Sequence, residues 1–170
     1  RDIYELIRYP KGVYFLSRPR RFGKSLLIST LDEIFSGDRE RFQGLWLYDS
    51  AYQWQTHPVI RIDFSRHAIN SAKQLETALD YYLGQIAQQY ELKLQGFDYQ
   101  SRFDNIIVQL GRKHQQVVIL IDEYDKPIID NLDNLEEAKM GNSDNLEIGI
   151  NLKSIDILVF FVSFKISPCL

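Results

Sequence analysis

The chain has one cysteine, Cys169, among 170 residues, which excludes an intramolecular disulfide and suits a reducing cytoplasm. Long hydrophobic runs are missing too. A membrane-spanning helix needs roughly 20 apolar residues, whereas the longest run, at 157–162, is strand-sized. No signal-peptide pattern is visible. Net positive charge is absent: the formal value of −3 argues against a whole surface built for nucleic acid. Histidine is scarce, and His57, His67 and His114 are too scattered to suggest a metal cluster. There is no internal repeat or low-complexity tract. What is present is one domain's length, with 45% apolar residues, enough for a sizeable core.

Against that acidic balance, positive charge concentrates at Arg18, Arg20, Arg21 and Lys24. The stretch 17–25 reads Ser-Arg-Pro-Arg-Arg-Phe-Gly-Lys-Ser, most of a phosphate-binding loop of pattern G-x-x-x-x-G-K-[ST]. Such a loop works because successive backbone N–H groups curl around a phosphate while the lysine bridges phosphates and the hydroxyl holds Mg²⁺. Gly23, Lys24 and Ser25 fill the last three positions; the first glycine position holds Arg18. The basic cluster suits a nucleoside triphosphate and would also meet a phosphodiester backbone.

Context supports the loop. Val13-Tyr14-Phe15-Leu16 reads as a buried strand, and Leu27, Leu31 and Ile34/Phe35 are spaced for one apolar helix face. Strand, tight turn at Gly23, then a helix starting at Lys24 aims orphan N–H groups at an anion. A century of residues later, Val117-Val118-Ile119-Leu120-Ile121 has no polar residue, the pattern of a central strand in a parallel sheet covered on both faces. It ends in Asp122-Glu123. The aspartate at such a tip reaches the Mg²⁺ shell beside Ser25. The adjacent glutamate is expected to point the other way along the pleat, where it polarises the attacking water as a general base.

The strings Phe15–Leu26, His57–Ser65 and Leu120–Ile128 resemble the predicted AAA-like ATPase family of bacteria, over residues 1 to about 130. The resemblance implies a P-loop NTPase of AAA/ASCE type: an α/β three-layer sandwich with a mainly parallel central sheet. It implies ATP and Mg²⁺ as cofactors, and a nucleotide-binding stretch comprising Arg18, Pro19, Arg20, Arg21, Phe22, Gly23, Lys24, Ser25 and Leu26. By the same resemblance Ser25 and Asp122 are the metal residues, and Lys24 and Glu123 the catalytic ones. Arg18 in place of the first glycine is a trait of that family. A strand is implied between the 117–121 and 13–17 strands, with a polar sensor residue at its end; Leu158–Ser163 is the candidate, with Ser163 as the polar position. Family members often carry a restriction-type nuclease-like domain downstream, a possible partner here. Contact with nucleic acid is then indirect.

The coarse order is helix 3–8, strand 13–17, helix 24–35, a long loop, strand 58–64, helices 71–90 and 99–114, strand 116–121, a polar segment and strand 156–163. Ser71 with Gln74 forms a capping box. Leu75, Leu79, Tyr82 and Ile86 make one core-facing stripe, and Tyr99, Phe103, Ile106 and Leu110 another. Alternating strands and helices give an α/β domain. The loop at 37–57, rich in Trp46, Tyr48, Tyr52 and Trp54, is expected to fold over the sheet edge as core. Asp63 ends its strand at the same edge as the nucleotide and is expected to orient the loop or a water. Asp130, Asp133, Glu136 and Glu137 lack a calcium loop's pivot glycine and read as a solvated acidic helix. Residues 138–170 diverge from the family, and the domain reads as truncated, incomplete at both ends. The expectation is a cytoplasmic ATPase in the intact protein, using bound nucleotide to switch a partner domain. The alternative is a nucleotide-gated or nucleic-acid-binding adaptor without significant hydrolysis.

Overall fold

The computed structural model describes residues 2–9, 12–18, 22–66, 69, 71–114, 116–123 and 156–164, with 16–18 and 156–164 described as backbone. Helix α1 (Asp2–Ile7) leads into strand β1 (Gly12–Arg18), then helix α2 (Lys24–Phe35), strand β2 (Val59–Asp63), helices α3 (Ala72–Gln89) and α4 (Tyr99–Lys113), and strands β3 (Gln116–Asp122) and β4 (Asp156–Phe164). The four strands form one sheet in the order β1-β4-β3-β2, and each neighbouring pair is parallel. β4 therefore lies between β3 and β1, the inserted position that the family resemblance implies.

Parity along β3 creates two cores. Val117, Ile119 and Ile121 pack with Leu83 and Ile86 of α3 and Ile106 and Leu110 of α4. Val118 and Leu120 face the opposite way and pack with Ile7 of α1 and Ile28, Leu31 and Phe35 of α2. Side chains alternate across a strand, so a run of apolar residues needs a cover on each face, and here helices supply both. All seven residues of β3 are buried. Right-handed crossovers explain the split. The β1-to-β2 connection runs one way across the sheet and the β2-to-β3 connection runs back, so their helices fall on opposite faces.

The expected loop at 37–57 contains a 3₁₀ turn, Arg39–Phe42. Its aromatics pack onto the α2-side core, with Phe42 and Trp54 centroids 5.1 Å apart and Tyr52 edge-on to Trp54 at 5.3 Å. Trp46 is the outlier: it is 44% exposed and meets Tyr4 of α1 edge-on at 5.5 Å. Helix starts follow the sequence cues. Ser71 accepts a hydrogen bond from the Gln74 backbone N–H, and Asp98 with Ser101 forms a reciprocal capping box for α4, which fills donors that a helix start leaves open.

Two tyrosines, Tyr82 of the α3 stripe and Tyr90 at the C-terminal cap of α3, act by their hydroxyls as well as their rings. β2 is an edge strand, and the Tyr90 hydroxyl both receives the Val59 N–H at 2.7 Å and donates to the Val59 carbonyl at 3.0 Å. The Tyr82 hydroxyl donates to the Asp63 carbonyl. Edge-strand groups that would otherwise invite another chain are thereby occupied. Among the described residues, no helix is long and apolar enough to cross a membrane.

Candidate functional site

Parallel strands end together, so the C-terminal tips of β1, β4, β3 and β2 line one edge. Gly23 lies after β1 and caps α2 with φ 71°, in the left-handed region, and among the described residues no side chain caps the helix there. A Cβ at Gly23 would meet nothing within 4 Å among the described residues, so the need for glycine there is conformational. The first intrahelical bond runs from Leu27 N–H to the Gly23 carbonyl at 2.9 Å. The N–H groups ahead of it, at 24–26, have no intrahelical acceptor. No acidic residue sits in this first turn. The positive end of the helix dipole thus lies at the sheet's C-terminal edge.

Lys24 belongs to the sheet-facing side of α2. Counting i, i+4, i+7 and i+11 gives Lys24, Ile28, Leu31 and Phe35, all buried. The apolar face is therefore centred on Ile28, which the expected stripe through Leu27 passes over; Leu27 is only partly buried. Because Lys24 shares this stripe, only 5% of it is exposed and its ammonium reaches the end of β3. There its Nζ lies 3.5 Å from Glu123 Oε1. The two members are chain neighbours of Ser25 and Asp122, so the contact brings the glycine turn and the carboxylate tip to one sheet edge. Ser25, Phe22 and Leu26 are exposed.

Asp122 has the parity of Val118 and Leu120 and so faces the α2 layer. It is 3% exposed, and its Oδ1 has no hydrogen-bond partner among the described residues. A buried carboxylate oxygen left unpaired is costly. Glu123 corrects the expectation drawn from the pleat. Its φ of 57° takes it out of strand geometry, the alternation stops at Asp122, and its carboxylate turns to Lys24 instead of to the opposite face. A non-glycine residue in that region is uncommon, and such strain gathers at functional sites.

Among the described residues, this corner holds two carboxylates for one ammonium. No group of three or more His, Cys, Asp or Glu gathers there or elsewhere among them. That donor set fits Mg²⁺ better than a metal held wholly by protein, since Mg²⁺ is usually bound through one or two carboxylates plus phosphates and water. The orphaned Asp122 oxygen and the exposed Ser25 hydroxyl are the residues present for it.

Asp63 pairs in register with Asp122, as its place at the same edge required. Its carboxylate is already engaged: Oδ1 accepts from Ser65 N–H at 3.0 Å and Ser65 Oγ at 2.6 Å, and Oδ2 accepts from Arg66 Nε at 3.1 Å. It holds the turn after β2. Ser163 pairs with Ser17 across β4 and β1, one step beyond Val162, the partner of Asp122. Of the remaining nucleotide-binding expectations, Arg18 ends β1 as backbone, and Pro19, Arg20 and Arg21 lie outside the described residues, as do Asp130, Asp133, Glu136 and Glu137.

A parallel α/β sheet with a helix N-terminus beside a strand-end carboxylate pair is the class of domain defined here. A family model described as Predicted AAA-ATPase matches residues 2–146, and the chain belongs to that family. A curated relative in Azotobacter chroococcum mcd 1, "Uncharacterized protein in vnfD 5'region", is 42% identical over 128 residues, covering 74% of this chain and 25% of that protein. The chain thus spans about a quarter of the length of the curated relative it matches.

Proposed function

We propose that the domain is a P-loop ATPase of three-layer AAA/ASCE type, which binds ATP with Mg²⁺ at the C-terminal edge of its sheet and hydrolyses it. The bound state switches a partner domain of the intact protein in the cytoplasm. The observation that carries the reading is the meeting of Lys24 and Glu123 beside the unpaired Asp122 oxygen. One helix start, one buried cation and two carboxylates converge where a triphosphate needs them.

The chemistry follows from those groups. The N–H groups of the first turn of α2 and the Lys24 ammonium bind phosphate oxygens, with Gly23 supplying the turn. Ser25 and Asp122 hold Mg²⁺, which neutralises phosphate charge when bound. Glu123 orients a water at its carboxylate and accepts the proton as that water attacks the terminal phosphorus. The bond to the bridging oxygen breaks, leaving ADP and phosphate. Catalysis of this kind is mainly positioning and charge compensation.

Phosphate release from ATP, followed beside equilibrium binding, tests the proposal. Glu123→Gln is expected to bind ATP and to lose turnover by about 10²–10⁴-fold, the usual worth of a positioned acid–base group. Lys24→Ala is expected to weaken binding itself without abolishing it. Unchanged hydrolysis in Glu123→Gln would remove its assigned role. Intact binding with no phosphate release by the wild-type protein would return the domain to the adaptor reading.

A further inference from the structure

In a working site Lys24 and Glu123 have different partners, the ammonium holding phosphate and the carboxylate holding water. In the structure they hold each other. The Nζ to Oε1 distance is 3.5 Å, and the side chains are 5% and 15% exposed. Attraction between charges so far removed from solvent is stronger than at an open surface. Glu123 keeps this contact from a left-handed backbone conformation, φ 57°, that non-glycine residues seldom hold. Its neighbour Asp122 keeps a buried oxygen unpaired among the described residues. A strained backbone, an ion pair made from two groups needed elsewhere and an unsatisfied acceptor adjoin one another.

We infer that the Lys24–Glu123 ion pair is a resting-state latch. It holds the Glu123 carboxylate away from the water position until a triphosphate draws Lys24 away and sets the carboxylate free. The inference rests on the nucleotide reading and adds regulation to that site. No bond is made or broken in the exchange: the ammonium trades one anion for a more highly charged one. Phosphate must therefore compete with Glu123 for Lys24. A ligand that cannot reach Lys24 with phosphate leaves the glutamate occupied, so water is not activated in the empty site.

A thermodynamic cycle on affinity separates a latch from simple repulsion between carboxylate and phosphate. The probe is a non-hydrolysable ATP analogue with Mg²⁺, titrated calorimetrically into wild type, Glu123→Gln, Lys24→Ala and the double variant. The latch predicts that Glu123→Gln tightens binding by about tenfold, the scale of one charge-assisted hydrogen bond. It predicts that the same change gives no gain in the Lys24→Ala background, where nothing competes. An equal gain in both backgrounds assigns the effect to repulsion and overturns the latch. No gain in either background overturns it as well. Absence of binding in all four proteins strikes the nucleotide reading itself, and the inference falls with it.

Discussion

At the scale of single residues, the site depends on side chains whose placement is set by local counting and on one that is not. Lys24 is aimed at the carboxylates because it falls on the buried stripe of α2, and Asp122 because it shares the parity of Val118 and Leu120. Gly23 supplies the turn. Gly23→Ala meets no steric obstacle among the described residues, so its cost is that of a left-handed alanine, about 1–2 kcal/mol. For a domain of this size that corresponds to a fall of roughly 2–8 °C in the melting point. Thermal unfolding checks it, and an unchanged melting point would mean that the turn relaxes without strain. Glu123 was misjudged from sequence because pleat alternation holds only while the strand continues. Its carboxylate direction is set by a positive φ, which nothing in Ile121-Asp122-Glu123 announces.

His57 gives a residue-scale dependence on pH. Burial, and then the nearby charge of His114, lowers its pKa from the ordinary 6.5. The folded imidazole therefore resists protonation, and as the pH falls below 6.5 protons bind the unfolded chain first. Stability from this residue is lost on the acid side of that value and levels off once the folded ring is also charged. Urea unfolding across that range should show the loss in wild type and a flatter profile in His57→Gln. The same slope in both proteins would contradict it.

At the scale of elements, the helices and strands were largely legible. α2 begins and ends where the apolar spacing and the Gly-Lys-Ser turn place it, and β3 is buried on both faces as its unbroken apolar run requires. The position of β4 was not contained in its own residues; it followed from the family resemblance, since an apolar strand does not name its neighbours. The hydroxyl roles of Tyr82 and Tyr90 were hidden for a related reason. Helical spacing recognises the Tyr82 ring, while the hydroxyl acceptors of both tyrosines depend on which strand becomes the sheet edge. Tyr90→Phe removes both bonds to Val59 and is expected to cost about 1–3 kcal/mol, since Val59 is buried and its backbone groups lose that partner. Denaturant unfolding measures this. A loss near zero would show that the β2 edge is held by packing alone.

At the scale of the molecule, the described helices cover opposite faces of one parallel sheet, and the C-terminal edge is where such sheets place their chemistry. The buried β3 carries the carboxylates to that edge, and α2 carries the opposing cation. Both cores therefore serve the same corner. The family match over residues 2–146 agrees with this division, since it spans β1 through β3 and the helices that cover them. The chain covers 25% of the curated relative, and the proposed switching role calls for a partner domain. What this domain would contribute is a site whose occupancy changes the partner of Lys24.

Thermal unfolding of wild type and Lys24→Ala across a titration of ATP with Mg²⁺ tests that claim most directly. A ligand that binds only the folded state adds about 2.7 kcal/mol of stability at 100 times its dissociation constant. The melting point of the wild-type protein should rise with dose, and that of Lys24→Ala should rise less at every dose. Equal rises in the two proteins, or no rise in either, would contradict a triphosphate site built on Lys24.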